Sequence, residues 1–303
     1  MTKTPAVPSP KKLLIVDNHA LFHRSRSALL RTMKEGMRLP DGTPTTGAFG
    51  FSNNLLSALK NTGATHCLVV YDAGGNFRKQ KSEDYKANRS QNSEDFYREM
   101  KIVQDQILPS FGIKSIGIKG VEADDVIFTV SHMMADKFDE VLILTCDQDI
   151  LQCVKDKVKV LLFNSAKNTK VMGIEEVEEK LGVVPEHIPM LKALSGDSSD
   201  NIRGIRGIGN KTAVKILKES DFKWEWVLQH DKVRPSADIA EENLELTKSV
   251  FVSSVFTLRP EELGLGTGTY QLVDTLFERY HFKSFEKRRS SILKTLNIED
   301  RRK

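Results

Sequence analysis

Acidic residues follow four short apolar runs that have the composition of β-strands. These acids are Asp17, Asp72, the group Glu122, Asp124 and Asp125, and the pair Asp147 and Asp149. The carboxyl ends of parallel strands meet at one edge of a sheet, so these carboxylates should converge there. So many carboxylates would repel one another unless cations neutralised them. Oxygen ligands without histidine suit Mg²⁺ or Mn²⁺ and not zinc, and the pattern therefore predicts a site for divalent ions.

Each of these acids also has an ordinary structural explanation. An aspartate at the end of a strand often caps the next helix or forms a turn. The distribution of charge nevertheless favours metal binding. Residues 120–150 hold eight acids and one base, a net charge of −7, within a chain of net charge +4. Residues 201–223 hold six bases and two acids, and residues 281–303 hold eight bases and three acids. An acidic focus inside a basic chain indicates metal ions held against a polyanion.

The elements that must position these acids can be predicted from the apolar runs. Five of them read as strands: 13–16, 67–71, 112–118, 141–145 and 158–163. Helical segments separate the runs, and strands that alternate with helices predict an α/β fold with a parallel sheet covered on both faces. From about residue 181 onward the pattern is almost entirely helical.

A glycine-rich segment lies in the helical half, from Gly204 to Gly209, directly before the basic helix predicted over 214–218. Backbone N–H groups at such a helix start form an anion site that suits phosphate. The segment has the span of a nucleotide-binding P-loop, but Asn210 stands where that loop needs lysine and no strand precedes it. The segment therefore predicts phosphate contact without a P-loop.

The composition excludes several protein classes. The chain has 303 residues, 39% of them hydrophobic and 28% charged, and it lacks both a secretory signal and an apolar run long enough to span a membrane. Its three cysteines have no paired spacing, so neither a disulfide framework nor a cysteine zinc site is expected. We expect a monomeric protein of a reducing cytoplasm, in a bacterial cell or a phage-infected host.

Several motifs together resemble the 5′-nuclease (flap endonuclease) family, which includes the N-terminal nuclease domain of bacterial DNA polymerase I and stand-alone bacteriophage 5′→3′ exonucleases. The matching segments are 13–17, 69–72, 77–78, 85–89, 120–125, 144–149, 192–201, 207–213 and 276–283. No single motif is specific, but their order and spacing match the family. The resemblance implies a parallel-sheet, PIN-like nuclease core with a helical arch insertion, followed by a DNA-binding domain with a helix–three-turn–helix.

The resemblance also implies domain bounds. It implies a disordered lead over 1–12, a nuclease core over 13–180 with the arch at 76–110, and a helical domain over 181–285. The helix–three-turn–helix would cover 186–218, and a basic tail would cover 286–303.

The resemblance assigns roles to the acids and to the arch. Two clusters of metal ligands are implied: Asp17, Asp72, Glu122 and Asp124 in the first, and Asp147, Asp149, Asp197 and Asp200 in the second. Asp125 could serve either cluster through water. In the arch, Lys86 and Arg89 match positions beside the scissile phosphate, where a cation offsets charge in the transition state. Tyr85 could stack on a base. Without the resemblance, these three residues would read as an exposed loop.

The resemblance further implies DNA contacts and a monovalent ion. The DNA-binding set is Arg78, Gly207, Gly209, Lys211, Thr212 and Lys215. The tight turns of the glycine-rich segment should point backbone carbonyls inward, which suits K⁺. Matching by position nominates the carbonyls of Leu194, Ser195, Arg203, Ile205 and Ile208. A hairpin held by its own hydrogen bonds is the alternative. Arg203 stands where many relatives carry proline.

The function implied is that of a structure-specific 5′ nuclease, both exonuclease and flap endonuclease, which acts on DNA in replication or repair with two or more Mg²⁺ or Mn²⁺ ions. The RNA strand of RNA–DNA hybrids is a further candidate substrate. Two alternatives stay open at this point: a PIN-like ribonuclease with a similar acidic site, and a catalytically dead module that binds branched DNA.

Overall fold

A six-stranded sheet forms the centre of the N-terminal half in the computed structural model, which describes residues 10–89, 91–165 and 168–301. The strands are β1 (Lys12–Asp17), β2 (His66–Val70), β3 (Lys114–Ile116), β4 (Glu140–Thr145), β5 (Val158–Ser165) and β6 (Asn168–Met172). Their order across the sheet is β3-β2-β1-β4-β5-β6, and the first five are parallel. The predicted α/β fold with a helical second half is confirmed. Most of the predicted disordered lead lies outside the described residues.

The described residues form fourteen α-helices. Around the sheet they are α1 (Asn18–Thr32), α2 (Thr46–Thr62), α3 (Phe77–Lys81), α4 (Glu94–Ile102), α5 (Leu108–Ser110), α6 (Ala123–Met134) and α7 (Ile174–Leu181). Beyond them lie α8 (Ile188–Ser195), α9 (Asn210–Glu219), α10 (Trp224–Gln229), α11 (Ala237–Thr247), α12 (Tyr270–Arg279), α13 (Lys283–Glu286) and α14 (Arg289–Thr295). A short hairpin, β7 (Gly196–Asp197) with β8 (Ile202–Arg203), connects α8 to α9. None of the described helices is long and apolar enough to cross a membrane.

The central strands are buried on both faces, which explains their continuous apolar sequence. In β1, Leu13 and Ile15 point to the face covered by α6 and the helical domain. Leu14 and Val16 point to the opposite face, where they pack with residues of α1, α2 and the C-terminal helices α12 to α14. The alternation follows from the two-residue period of a strand. Because both faces are covered, the edge at the carboxyl ends of the strands is the accessible place for polar groups.

The sheet has one strand more than the sequence predicts. β6 pairs antiparallel with β5, with Val160 opposite Met172. Its sequence, Asn168–Met172, is polar and mostly exposed, as suits a strand at the edge of a sheet. Because β6 carries no apolar run, hydrophobic periodicity did not reveal it. The third strand is also shorter than predicted, at 114–116 in place of 112–118.

The C-terminal residues differ from their predicted arrangement. One helical domain is predicted through residue 285, followed by a basic tail, whereas in the structure the chain after about residue 265 packs with the nuclease half. Phe277 and Phe285 pack in the core of the nuclease half, and so do Ile292 and Leu293 of α14. Arg289, one of the supposed tail bases, pairs with carboxylates of the same region. Buried apolar residues, and not free basic charge, therefore determine where this segment lies.

Candidate active site

A cavity of about 1060 Å³ opens at the carboxyl ends of β1, β2 and β4. Seven of the nine predicted metal ligands line it: Asp17, Asp72, Glu122, Asp124, Asp147, Asp149 and Asp197. The eighth, Asp200, lies beside the cavity and contacts the arch cations. The sheet therefore brings together carboxylates that are up to 180 positions apart in the chain.

Local hydrogen bonds hold these carboxylates at the ends of their strands. Asp17 ends β1 and caps α1, since its Oδ1 accepts from the backbone N–H of Ala20 at 3.1 Å. The other carboxylate oxygen of Asp17 accepts from the Thr145 hydroxyl at 2.7 Å. Asp72 Oδ1 accepts from the N–H of Ala123 at 2.8 Å and so joins the end of β2 to the start of α6. The capping explanation and the ligand explanation are thus compatible, because each carboxylate keeps lone pairs for a cation.

Burial and crowding raise the affinity of several of these carboxylates for protons. Desolvation raises the pKa of Asp17 to about 6, and neighbouring Asp147 and Asp72 add to the shift. Burial, together with the charge of Asp147, raises the pKa of Asp149 to about 7. The pKa of Asp124 is raised well above its usual range by burial and by Asp147. A cation in the cavity would relieve this repulsion.

Lysine and arginine side chains supply positive charge in the cavity. Lys86 Nζ contacts Glu122 and lies 3.5 Å from Asp200. Arg89 donates to Asp200 at 2.7 Å. Burial opposes the charge on Lys86, but the carboxylates of Asp124, Glu122 and Asp200 outweigh it and raise the pKa of the ammonium group. The structure therefore places Lys86 and Arg89 where the sequence predicts them, among the carboxylates.

A third cation, Lys192, was not predicted to belong to the site. Its ammonium group lies between Asp149 and Asp197, with a contact of 2.5 Å to Asp197 Oδ2. Burial alone would raise the pKa of Asp197, but the hydrogen bonds from Lys192 and Ser199 lower it to about 2. Lys192 belongs to a motif that the sequence analysis quoted, and its position five residues before Asp197 at the end of α8 was the available signal.

Three predicted roles need correction in the structure. Arg78 was predicted to contact DNA, but its side chain is only 4% exposed and forms a bidentate pair with Asp125, at 2.7 and 2.9 Å. Asp125 is fully buried and engaged in that pair, and it is not among the residues that line the cavity. Tyr85 was predicted to stack on a base, but the residue is 3% exposed and its hydroxyl lies within hydrogen-bond distance of Asp200, at 3.1 Å, and of Glu122, at 3.2 Å. Side-chain pairing between distant segments accounts for all three.

The carboxylates that line the cavity have the chemistry expected of ligands for a divalent ion. In residues 10–89, 91–165 and 168–301, no three His, Cys, Asp or Glu side chains form a ready-made metal cluster. The reason is visible in the contacts, since the ammonium groups of Lys86 and Lys192 stand between the carboxylates. All the acids that line the cavity offer oxygen, the ligand that Mg²⁺ and Mn²⁺ prefer.

The glycine-rich hairpin brings α8 and α9 close together. A Cβ on Gly204 would lie 2.3 Å from the Ser195 carbonyl oxygen, so only glycine allows this approach. Gly207 has a left-handed φ of 82°, and both it and Gly209 face open space. In α9, Lys211 and Lys215 are exposed and Thr212 is half-buried. The predicted phosphate-contacting residues thus share one accessible surface at the start of α9.

Three of the five carbonyls nominated for K⁺ accept hydrogen bonds within the protein. Leu194 O accepts from Ile205 N–H and Ile205 O from Ile208 N–H, both at 2.9 Å. Arg203 O accepts from the Asn243 amide at 2.9 Å. These bonds hold the hairpin and leave each carbonyl one lone pair for another partner. The carbonyl of Ser195, a fourth nominee, lies against Gly204.

Comparison with known protein families matches two adjacent regions of the chain. Residues 12–182 match the 5′-3′ exonuclease N-terminal resolvase-like domain. Residues 183–254 match the 5′-3′ exonuclease C-terminal SAM fold. The second match ends before the C-terminal helices, in agreement with their packing on the nuclease half.

Known relatives include both stand-alone and fused proteins. The 5′-3′ exonuclease of Bacillus subtilis (strain 168) is 38% identical over 210 residues, which is 69% of this chain and 70% of that protein. A thermostable DNA polymerase I of Thermus thermophilus is 36% identical over 261 residues, which is 85% of this chain and 30% of that protein. The chain thus spans only 22–34% of the length of the DNA polymerase I relatives that it matches in Thermus and Chloroflexus.

Among solved structures, the bacteriophage T5 D15 protein co-crystallised with metal ions shares 23% identity and a TM-score of 0.66, over 78% of this chain and 89% of that one. The T5 D15 flap endonuclease in a pseudo-enzyme-product complex with DNA and metal ions gives a TM-score of 0.63 at 22% identity, over 95% and 100%. These similarities establish a shared fold. With the family matches they confirm the resemblance seen in the sequence: the chain belongs to the 5′-3′ exonuclease family.

Proposed function

We propose that this chain is a structure-specific 5′ nuclease that hydrolyses phosphodiesters of branched or 5′-ended DNA, as a 5′→3′ exonuclease and flap endonuclease. The observation that carries the proposal is the cavity at the end of the sheet, where seven carboxylates lie beside the cations of the arch segment 76–110. A surface suited to duplex phosphates lies at the start of α9, whose first residue, Asn210, lines the cavity.

Two groups of carboxylates would hold divalent ions. They are Asp17, Asp72, Glu122 and Asp124 on one side, and Asp147, Asp149, Asp197 and Asp200 on the other. The chemistry that such ions supply is activation of water and stabilisation of the leaving oxygen in an in-line displacement. The chain's own contribution is to orient these carboxylates through Thr145, Ala20 and Ala123, and to place Lys86 and Arg89 where a phosphate would carry negative charge.

One assay separates this function from the alternatives. It compares a 5′-labelled flap duplex, a plain single strand and an RNA of equal length, each with Mg²⁺ and with EDTA. We expect cleavage of the flap near its junction with Mg²⁺ and none with EDTA. Preferred cleavage of the RNA would indicate a ribonuclease, and tight flap binding without cleavage would indicate a binding module. An RNA–DNA hybrid in the same assay tests the further candidate substrate.

We also propose K⁺ as a second, structural ion in the β7–β8 hairpin, held by the carbonyls of Leu194, Ser195, Arg203, Ile205 and Ile208. Support comes from the close approach of Gly204 to Ser195, and a carbonyl that accepts one hydrogen bond can still offer its second lone pair to an ion. Such an ion would join the hairpin to a duplex phosphate. Duplex binding without divalent metal should therefore be tighter in K⁺ than in a bulky organic cation at equal ionic strength. Equal affinities in the two salts would contradict the site.

A further inference from the structure

The arch segment contains a short irregular stretch that carries the cations of the active site. Residues 82–89 lie between α3 and α4 and form turns without regular helix. Within the stretch, the N–H of Tyr85 donates to Ser82 O at 3.2 Å, that of Ala87 to Asp84 O at 3.1 Å, and that of Arg89 to Lys86 O at 3.3 Å. Three weak local turns of this kind do not fix the direction of a chain, so contacts from outside must position Lys86.

Those contacts come from the turn that follows Asp197, residues 198–201. The amide Nδ2 of Asn201 donates to Asp84 O at 2.7 Å, and that of Asn88 donates to Ser198 O at 3.1 Å. Between these two bonds, the Lys86 N–H donates to Asp200 O at 2.9 Å. Each segment thus contributes one asparagine amide that caps a carbonyl of the other, on either side of a backbone–backbone bond.

Backbone conformation indicates that this junction is under constraint. Lys86 has a left-handed φ of 55° and Asn201 one of 57°, a conformation that lysine rarely adopts. Such conformations persist where surrounding contacts over-determine them. At Lys86 the left-handed turn directs the side chain into the cavity, where it is 9% exposed and reaches Glu122.

We infer that Asn201 and Asn88 are positioning residues, whose amides latch the stretch Asp84–Arg89 onto the turn Ser198–Asn201 and so determine where Lys86 stands in the cavity. The latch joins the nuclease half to the helical half through hydrogen bonds from side-chain amides to backbone carbonyls. Its effect on cleavage rests on the proposed function, whereas its effect on the arch conformation does not.

The decisive variants distinguish the loss of the hydrogen bond from a change in the backbone conformation. Asn201→Asp keeps the shape of the side chain but replaces the donor with an oxygen that faces Asp84 O. Asn201→Gly removes the amide and keeps the left-handed φ accessible. Asn88→Ala tests the second amide at an exposed position. The matched controls are Asn297→Asp and Asn297→Gly, since Asn297 is an exposed asparagine with the same φ of 57°, at the end of α14.

The first measurement is tryptic cleavage of the folded protein without DNA, mapped by mass spectrometry. We expect Asn201→Asp and Asn88→Ala to accelerate cleavage after Lys86 or Arg89 by roughly fivefold to tenfold, the scale of one lost hydrogen bond. The Asn297 variants should match wild type. If the latch variants are cleaved at the wild-type rate while folded, the latch is absent. This readout requires no nuclease activity, so a failure of the proposed function leaves it intact.

The second measurement is single-turnover cleavage of a flap duplex with Mg²⁺, beside duplex affinity in EDTA. A displaced Lys86 should lower the rate by about 10- to 100-fold, with affinity within about twofold of wild type. In a Lys86→Ala background, Asn201→Asp should cause no further loss, because the residue that it positions is gone. Losses that multiply in the double variant, or a fall in duplex affinity equal to the fall in rate, would overturn the positioning role.

Discussion

At the scale of single residues, the carboxylates of the cavity combine a structural and a chemical task. Asp147 accepts from the N–H of Asp149 at 2.9 Å, and its own N–H donates to the Thr145 hydroxyl. Its charge raises the pKa of Asp17, Asp124 and Asp149. Asp147 is therefore held in place at the end of the strand, where its charge repels the neighbouring carboxylates unless a cation is bound.

We therefore predict that Asp147→Asn or Asp72→Asn abolishes cleavage and leaves flap binding in EDTA within about threefold of wild type, which is under 1 kcal/mol. An amide keeps the shape but removes the charge that holds a divalent ion. Cleavage in a Mg²⁺ titration and binding in EDTA are the two measurements. Asp231→Asn, at a side chain 92% exposed, serves as control. Near-normal turnover by both variants at low Mg²⁺ would contradict the two-metal assignment.

Lys86→Ala should slow the chemical step by about 10²–10³-fold, the usual scale for the loss of one preorganised charge at a developing anion. Its effect on duplex affinity should be smaller, because the residues proposed to contact duplex phosphates lie on α9. Single-turnover rates measure the step directly. Lys81→Ala is the matched control, since Lys81 lies in the same arch segment and pairs with exposed Glu245. A rate within threefold of wild type would show that Lys86 has no catalytic role.

The residue scale also shows what a sequence can and cannot predict. The acids of the nuclease half were predictable because they follow apolar runs that topology brings to one edge, whereas Asp197 and Asp200 came only from the family resemblance. The pairing of Arg78 with Asp125, 47 positions away, leaves no local pattern, so Arg78 was assigned to DNA and Asp125 to the metals. Lys192 was overlooked for the same reason, since only the fold reveals that it stands between Asp149 and Asp197.

At the scale of elements, the predictions succeed where a segment is buried and fail where it is exposed. The five parallel strands are apolar runs and were found, whereas the edge strand β6 is polar and was not. The C-terminal helices were assigned to the end of the helical domain by the family resemblance and to a tail by the basic residues of 281–303. In α12, however, Leu276 and Phe277 point into the core, at 3% and 1% exposure. Helical spacing of the apolar residues was the available signal.

The packing of α12 predicts a difference between two leucines of the same helix. Leu276→Ala should destabilise the protein by about 2–5 kcal/mol, since it leaves a cavity in the nuclease core. Leu272→Ala should change stability by less than about 0.5 kcal/mol, because Leu272 is 49% exposed. Denaturant unfolding followed by circular dichroism measures both. Equal effects of the two substitutions would show that α12 does not pack as described.

At the scale of the whole molecule, the net charge of +4 conceals a separation of charge. Acids line the cavity at the end of the sheet, and exposed bases lie at the start of α9, on the surface proposed to face a duplex. A polyanion would be attracted to the molecule as a whole, and the basic surface would hold it in the orientation that brings one phosphate to the acids. Binding energy and chemistry would thus belong to different halves of the protein, and the latch between Asn201 and Asp84 is one of the contacts that join them.

This separation predicts how duplex affinity responds to salt. Each phosphate contact released should reduce the slope of log K against log salt by about 0.9. We therefore expect Lys211→Ala and Lys215→Ala each to weaken duplex binding in EDTA and to lower that slope by about one such contact. Lys170→Ala, on the exposed edge strand β6, should leave the slope unchanged. Fluorescence anisotropy of a labelled duplex from low to moderate KCl gives the slopes. The same slope in wild type and all three variants would mean that the start of α9 is not the surface that binds DNA.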